Sequence, residues 1–126
     1  MLTIIETGFP HVAGFRIDGK LEKDDVDRMV VHCKGKLDGL ESSGDERGLR
    51  FYVEVNRFAG ISLQGFIAEI RGLVPHLGDF KKKAVVSNLK WADALTKAFQ
   101  PIGKHWMEGR HFPPGEEDSA LAWAAE

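Results

Sequence analysis

The sequence predicts a single α/β domain with a mixed five-stranded sheet and about four helices. Three observations predict it. Runs rich in β-forming residues alternate along the chain with stretches whose apolar residues recur every three or four positions, as strands alternate with amphipathic helices. Such alternation implies right-handed crossovers and a mainly parallel sheet. The first two strands follow one another with no helix between them, so they form a hairpin and the sheet is mixed. With 126 residues, the chain is one domain, 1–126, that buries about two-thirds of its unfolded surface.

Each element has its own warrant. Leu2 to Ile5 is a short β-rich run ended by Gly8, Phe9 and Pro10. His11 to Asp18 alternates apolar and other residues except at Gly14, where a bulge is expected. In Leu21 to Leu40, the residues Val26, Met29, Val30, Cys33, Leu37 and Leu40 share one helical face. Glu22, Asp24, Asp25 and Asp27 stand at its N-terminal turns, where the helix dipole favours them better than acid–base chemistry would. Glu41 to Gly48 is a polar loop. Leu49 to Val55 is a strand, Asn56 to Ile61 a loop, and Ser62 the N-cap of a helix marked by Leu63, Phe66, Ile67, Ile70 and Val74. Pro75 ends that helix. Ala84 to Ser87 is a buried strand led in by Lys81, Lys82 and Lys83. Trp91, Ala94, Leu95, Ala98 and Phe99 mark a helix from Lys90 to Phe99. Lys104 to Phe112 is the last strand, with Trp106 and Phe112 on one side, and Glu116 to Ala125 a terminal helix.

Composition removes several function classes. The formal net charge of −2 gives no general attraction to nucleic acid. The single cysteine, Cys33, cannot form an internal disulfide and fits a reducing compartment, so a cytoplasmic location is expected. The N-terminus has no signal-peptide pattern, and no apolar run approaches the roughly 20 residues of a membrane span. His11, His32, His76, His105 and His111 have no metal-ligand spacing. No glycine-rich phosphate loop is present, and His32 diverges from Cys33 on a helix, so the pair is no nucleophile and base. No metal, cofactor or catalytic residue is expected.

The segments "FRIDGKLEKDDVDRMV", "LRFYVEV" followed by "FAGISLQGF", "DFKKKAVVSNLKWADALTKAF" and "FPPGEEDSALAWA", in this order, resemble the SpoIIAA-like proteins. These are small bacterial domains related to STAS modules (anti-sigma-factor antagonists) and share a SEC14/CRAL-TRIO-like architecture. The resemblance implies a non-enzymatic binding domain. In the antagonist relatives a serine at the start of the second helix is phosphorylated by a partner kinase, and Ser62 falls near that position. Gly60 stands where an aspartate is expected and Ile61 where a polar residue is. The expected point of contact therefore moves from the Ser62 hydroxyl to the apolar pair Phe58 and Ile61.

The leading expectation is a ligand-binding module. It would hold an apolar small molecule or lipid against the sheet, with Phe58 and Ile61 gating a pocket lined by Phe66, Ile70, Trp91, Leu95 and Phe99. Arg57, Arg71, Lys81, Lys82 and Lys83 form a basic rim for peripheral membrane contact or for a partner. The alternative is a regulatory protein-interaction domain that docks a partner through the Phe58 to Ser62 loop. A homo-oligomer is compatible with either.

Overall fold

The structure is a computed structural model that describes residues 1–60, 80–87 and 108–126. Five strands form one sheet in the spatial order of the chain: β1 (Leu2–Ile5), β2 (Val12–Lys20), β3 (Leu49–Gly60), β4 (Phe80–Val86) and β5 (Glu108–Phe112). β1 runs antiparallel to β2, and every other neighbouring pair is parallel. The expected hairpin and mixed sheet are thus present. Two helices stand among the described residues, α1 (Lys23–Ser43) and α2 (Glu117–Ala125). About four helices were expected. That number is not matched, and the two further helices expected at 62–74 and 90–99 fall outside the described residues.

Side-chain alternation along the strands builds two cores, one on each face of the sheet. Ala13, Phe15 and Ile17 of β2 and Leu49 and Val55 of β3 bury against Val26, Met29, Cys33, Leu37 and Leu40 of α1. Their neighbours Val12, Tyr52, Ala84, Val86 and Phe112 bury against Ala120 and Ala124 of α2. β3 therefore serves both cores, with Val53 on one face and Tyr52 on the other.

α1 begins where its acidic residues predict. The Asp25 carboxylate accepts a bond from the Glu22 amide at 2.9 Å, and this bond holds its pKa below the ordinary carboxylate value; Arg28, at 3.0 Å, adds to it. The helix runs past its expected end, through Glu41, Ser42 and Ser43. Gly44 stops it by taking the left-handed conformation, φ 70°, which lets the Asp45 amide reach Leu40 O at 2.9 Å.

Two local expectations are corrected. Gly14 is not a bulge. It stays in register with Ile5 on one side and Tyr52 on the other. The register shifts of β2 lie further on, between Ile17 and Asp18 and between Gly19 and Lys20. The second correction concerns Asn56 to Gly60, which is strand and not loop. β3 continues through it because the end of β2 is there to pair with it, Asp18 opposite Arg57, Gly19 opposite Phe58 and Lys20 opposite Gly60.

Candidate functional site: the carboxyl end of the sheet

In open parallel sheets, ligands gather at the carboxyl ends of the strands. Here that end has a distinct shape. β4 stays paired with β3 only as far as Val86 opposite Glu54, and β5 ends with Phe112 opposite Val86. β3 goes on to Gly60 against β2. The result is a two-stranded ribbon that overhangs the rest of the sheet. Among the described residues, nothing pairs with the β4-facing edge of β3 beyond Glu54.

The base of the ribbon carries one charge pair. Arg16 and Glu54 are opposite one another in register, and Arg16 Nη2 lies 3.3 Å from Glu54 Oε2. The phenol of Tyr52 sits on the same face of β3. Burial, then the nearby Glu54 carboxylate, raises its pKa well above the usual tyrosine value, so it is a neutral group at physiological pH. On the other side of the step, the end of β4 is tied down. The Ser87 amide donates to Phe112 O at 3.0 Å, and His111 Nε2 donates to Ser87 O.

The sequence-derived residues divide into two groups. Ile61, Ser62, Phe66, Ile70, Arg71, Trp91, Leu95 and Phe99 lie outside the described residues, so the apolar pocket and the serine cap do too. Arg57 and Phe58 lie in the overhanging part of β3. The three lysines that were grouped as a rim are placed differently from one another. Lys81 is exposed. Lys82 turns to α2, where its ammonium donates to Trp123 O at 3.2 Å and sits 4.9 Å from the centre of the indole ring. Lys83 is half-buried, and burial pushes its pKa down from 10.5 to about 8.

The Lys83 shift has a pH signature. Between about 8 and 10.5 the unfolded chain holds a proton that the folded chain has released. Stability therefore rises with pH across that window. Lys83→Met is expected to flatten this rise in urea midpoints measured from pH 7.5 to 10.5 (~ three units). Identical pH profiles for the two proteins would rule out a buried, shifted lysine.

Cys33 and His32, among the described residues, are held against the core of α1. Cys33 is fully buried, and burial pushes its thiol up to about 12, so it is held as the inert thiol. His32 lies edge-on to Phe15 with centroids 5.6 Å apart, and burial lowers its pKa. Among the described residues, no group of three or more His, Cys, Asp or Glu side chains could hold a metal ion, and no helix is long and apolar enough to cross a membrane.

One cluster has no local signal in the sequence. The last turn of α2 carries no basic residue, and side chains from distant parts of the chain supply the donors instead. Arg50 Nη1 donates to Ala124 O at 3.1 Å and to Ala125 O at 3.2 Å. His11 Nε2 donates to Ala125 O at 2.7 Å, and Lys82 reaches Trp123 O. These groups meet the carbonyls that a helix leaves unsatisfied at its C-terminus, at the negative end of its dipole. An arginine in the strand GLRFYVEV was the one hint.

The comparisons agree with this architecture. The SpoIIAA-like family model matches residues 12–125. No curated protein matches the chain. Among solved structures, the chain is similar to an uncharacterized protein of the DUF3478 family, with a SpoIIAA-like fold, from Shewanella loihica PV-4. The two are 13% identical with a TM-score of 0.59, over 98% of this chain and 92% of that one, a likeness that shows the fold. Neither match points to a SEC14/CRAL-TRIO-like architecture. With 12–125 covered by the family match and the same fold in a distant solved structure, the chain belongs to the SpoIIAA-like family.

Proposed function

We propose that the chain is a non-enzymatic regulatory domain of the STAS type, which docks a protein partner at the carboxyl end of its sheet. The overhang of β3 carries this reading. From Val55 to Gly60 the strand has β2 on one side and, among the described residues, no strand on the other. An open strand edge offers main-chain donors and acceptors to an extended segment of another protein. Membership of the SpoIIAA-like family, whose antagonist relatives act through protein partners, supports the same reading. The apolar-ligand reading has no such support among the described residues.

The test is capture of cross-linked partners from the host with the full chain, followed by native mass spectrometry. The wild-type chain is expected to retain a protein that Phe58→Asp loses, with Ser62→Asp and Ser62→Ala both retaining it. Retention of an apolar small molecule, with no protein dependent on Phe58, would overturn the proposal. A large difference between the two Ser62 variants would instead make the contact a phosphorylation switch.

A further inference from the structure

The other end of the sheet order has a different open edge. Met1 and Asp18 exchange both of their main-chain bonds. The Asp18 amide donates to Met1 O at 2.9 Å, and the Met1 amine donates to Asp18 O at 3.0 Å. In an antiparallel ladder such pairs alternate with pairs whose donors and acceptors face away. Thr3 and Ile5 therefore bond to β2, while Leu2 and Ile4 turn their N–H and C=O groups outward. The Leu2 carbonyl confirms this phase, since it accepts from Arg28 Nη2 at 2.6 Å. Ile4 keeps its outward donor and acceptor without such a partner among the described residues.

Beside this edge, Ile4, Asp27, Arg28, Val31 and His32 line a groove of about 360 Å³. Its wall is apolar. Val31 is 69% exposed, unusual for an aliphatic side chain, and His32 Nε2 is buried with no hydrogen-bond partner among the described residues. A groove between an edge strand and the neighbouring helix is a place where an added strand lays its side chains.

The charges choose the occupant. α1 follows β2 and leads back to a strand parallel to it, so it runs in the direction of β1. A two-fold axis perpendicular to the sheet at Ile4 would pair β1 with β1 of a second copy, antiparallel, with two N–H···O bonds between the Ile4 residues. It would also set the two α1 helices antiparallel on one face, centred near Val31. Exposed Asp27 and exposed Lys34 flank Val31 on the same side of the helix. Asp27 of each copy then faces Lys34 of the other, twice by symmetry. We propose that the chain forms a two-fold dimer through the β1 edge, with Val31 of each copy filling the groove and two Asp27–Lys34 pairs setting the register. Arg28, by occupying Leu2 O, confines the strand pairing to Ile4.

Sedimentation velocity of the full chain over a concentration series tests this. The wild-type chain is expected to reach dimer mass. Val31→Glu and Ile4→Pro are each expected to weaken association at least about tenfold, because one puts a charge in the seam and the other removes the Ile4 N–H that the strand pairing uses. Asp27→Lys is expected to weaken it likewise, and Asp27→Lys with Lys34→Asp to restore it, a rescue that a fold defect would not show. Val31, Asp27 and Lys34 are exposed, so thermal midpoints of their variants should stay near wild type. A monomer at every concentration, a dimer indifferent to Val31→Glu, a dimer that survives Ile4→Pro, or no rescue in the charge swap would each overturn the proposal.

Discussion

Gly14→Ala is expected to destabilise the protein by about 3 kcal/mol. A Cβ at Gly14 would lie 2.6 Å from the Thr7 methyl and 2.9 Å from Ile5 O. Neither neighbour can withdraw cheaply. Ile5 O belongs to the β1–β2 ladder. The Thr7 side chain is held by its own bonds, its hydroxyl donating to Val12 O at 3.0 Å and accepting from the Phe9 amide at 3.2 Å. Rotating the methyl away would break both. The control is Gly39→Ala in α1, where an added Cβ meets nothing within 4 Å. That variant should be more stable by about 0.5–1 kcal/mol through helix propensity alone. Urea melts of the two variants beside wild type separate the effects, and an unchanged midpoint for Gly14→Ala would show that the β1–β2 corner yields.

Arg50→Met is expected to cost about 2–3 kcal/mol. Arg50 is 7% exposed, and its Nη1 supplies bonds to two carbonyls of the last turn of α2. Methionine keeps most of the volume and removes the donors and the charge at the negative end of the helix. Part of the loss is offset, because burial works against the arginine's charge and Arg50 Nε has no partner among the described residues. The measurement is the urea midpoint together with the slope. A lower midpoint at unchanged slope is expected. A midpoint equal to wild type would mean that Ala120 and Ala124, which pack on Tyr52 and Ala84, hold the helix without the arginine.

The elements that are locally encoded were legible. Periodicity located α1, α2 and all five strands, since each has its own apolar pattern, and the hairpin followed from the absence of a helix between Ile5 and Val12. What was not legible depends on partners distant in sequence. Asn56 and Gly60 are turn-formers, and the strand continues past them because Arg57, Phe58 and Gly60 pair with Asp18 to Lys20. Gly14 resembles a bulge in the bare pattern, whereas its real constraint is the Thr7 methyl. The polar run Glu41 to Ser43 gives no sign of helix, and the left-handed Gly44 sets the boundary instead. The cap of α2 comes from positions 11, 50 and 82, none of them adjacent to it in the chain. For the candidate site, the sequence marked Phe58 and Arg57 but as loop residues; the strand that carries them follows from β2.

The α2 anchor also orders events during folding. The bond from His11 to Ala125 spans 114 residues, whereas α1 packs on strands that flank it directly in sequence. Closing the longer loop costs more chain entropy and is rewarded last. The α1 face can therefore collapse while Val12, Tyr52, Ala84 and Phe112 on the reverse face are still open to water. Among the described residues α2 is what covers this face, so until it settles the newly formed sheet presents a sticky apolar surface, and that period is when the chain is most exposed to aggregation.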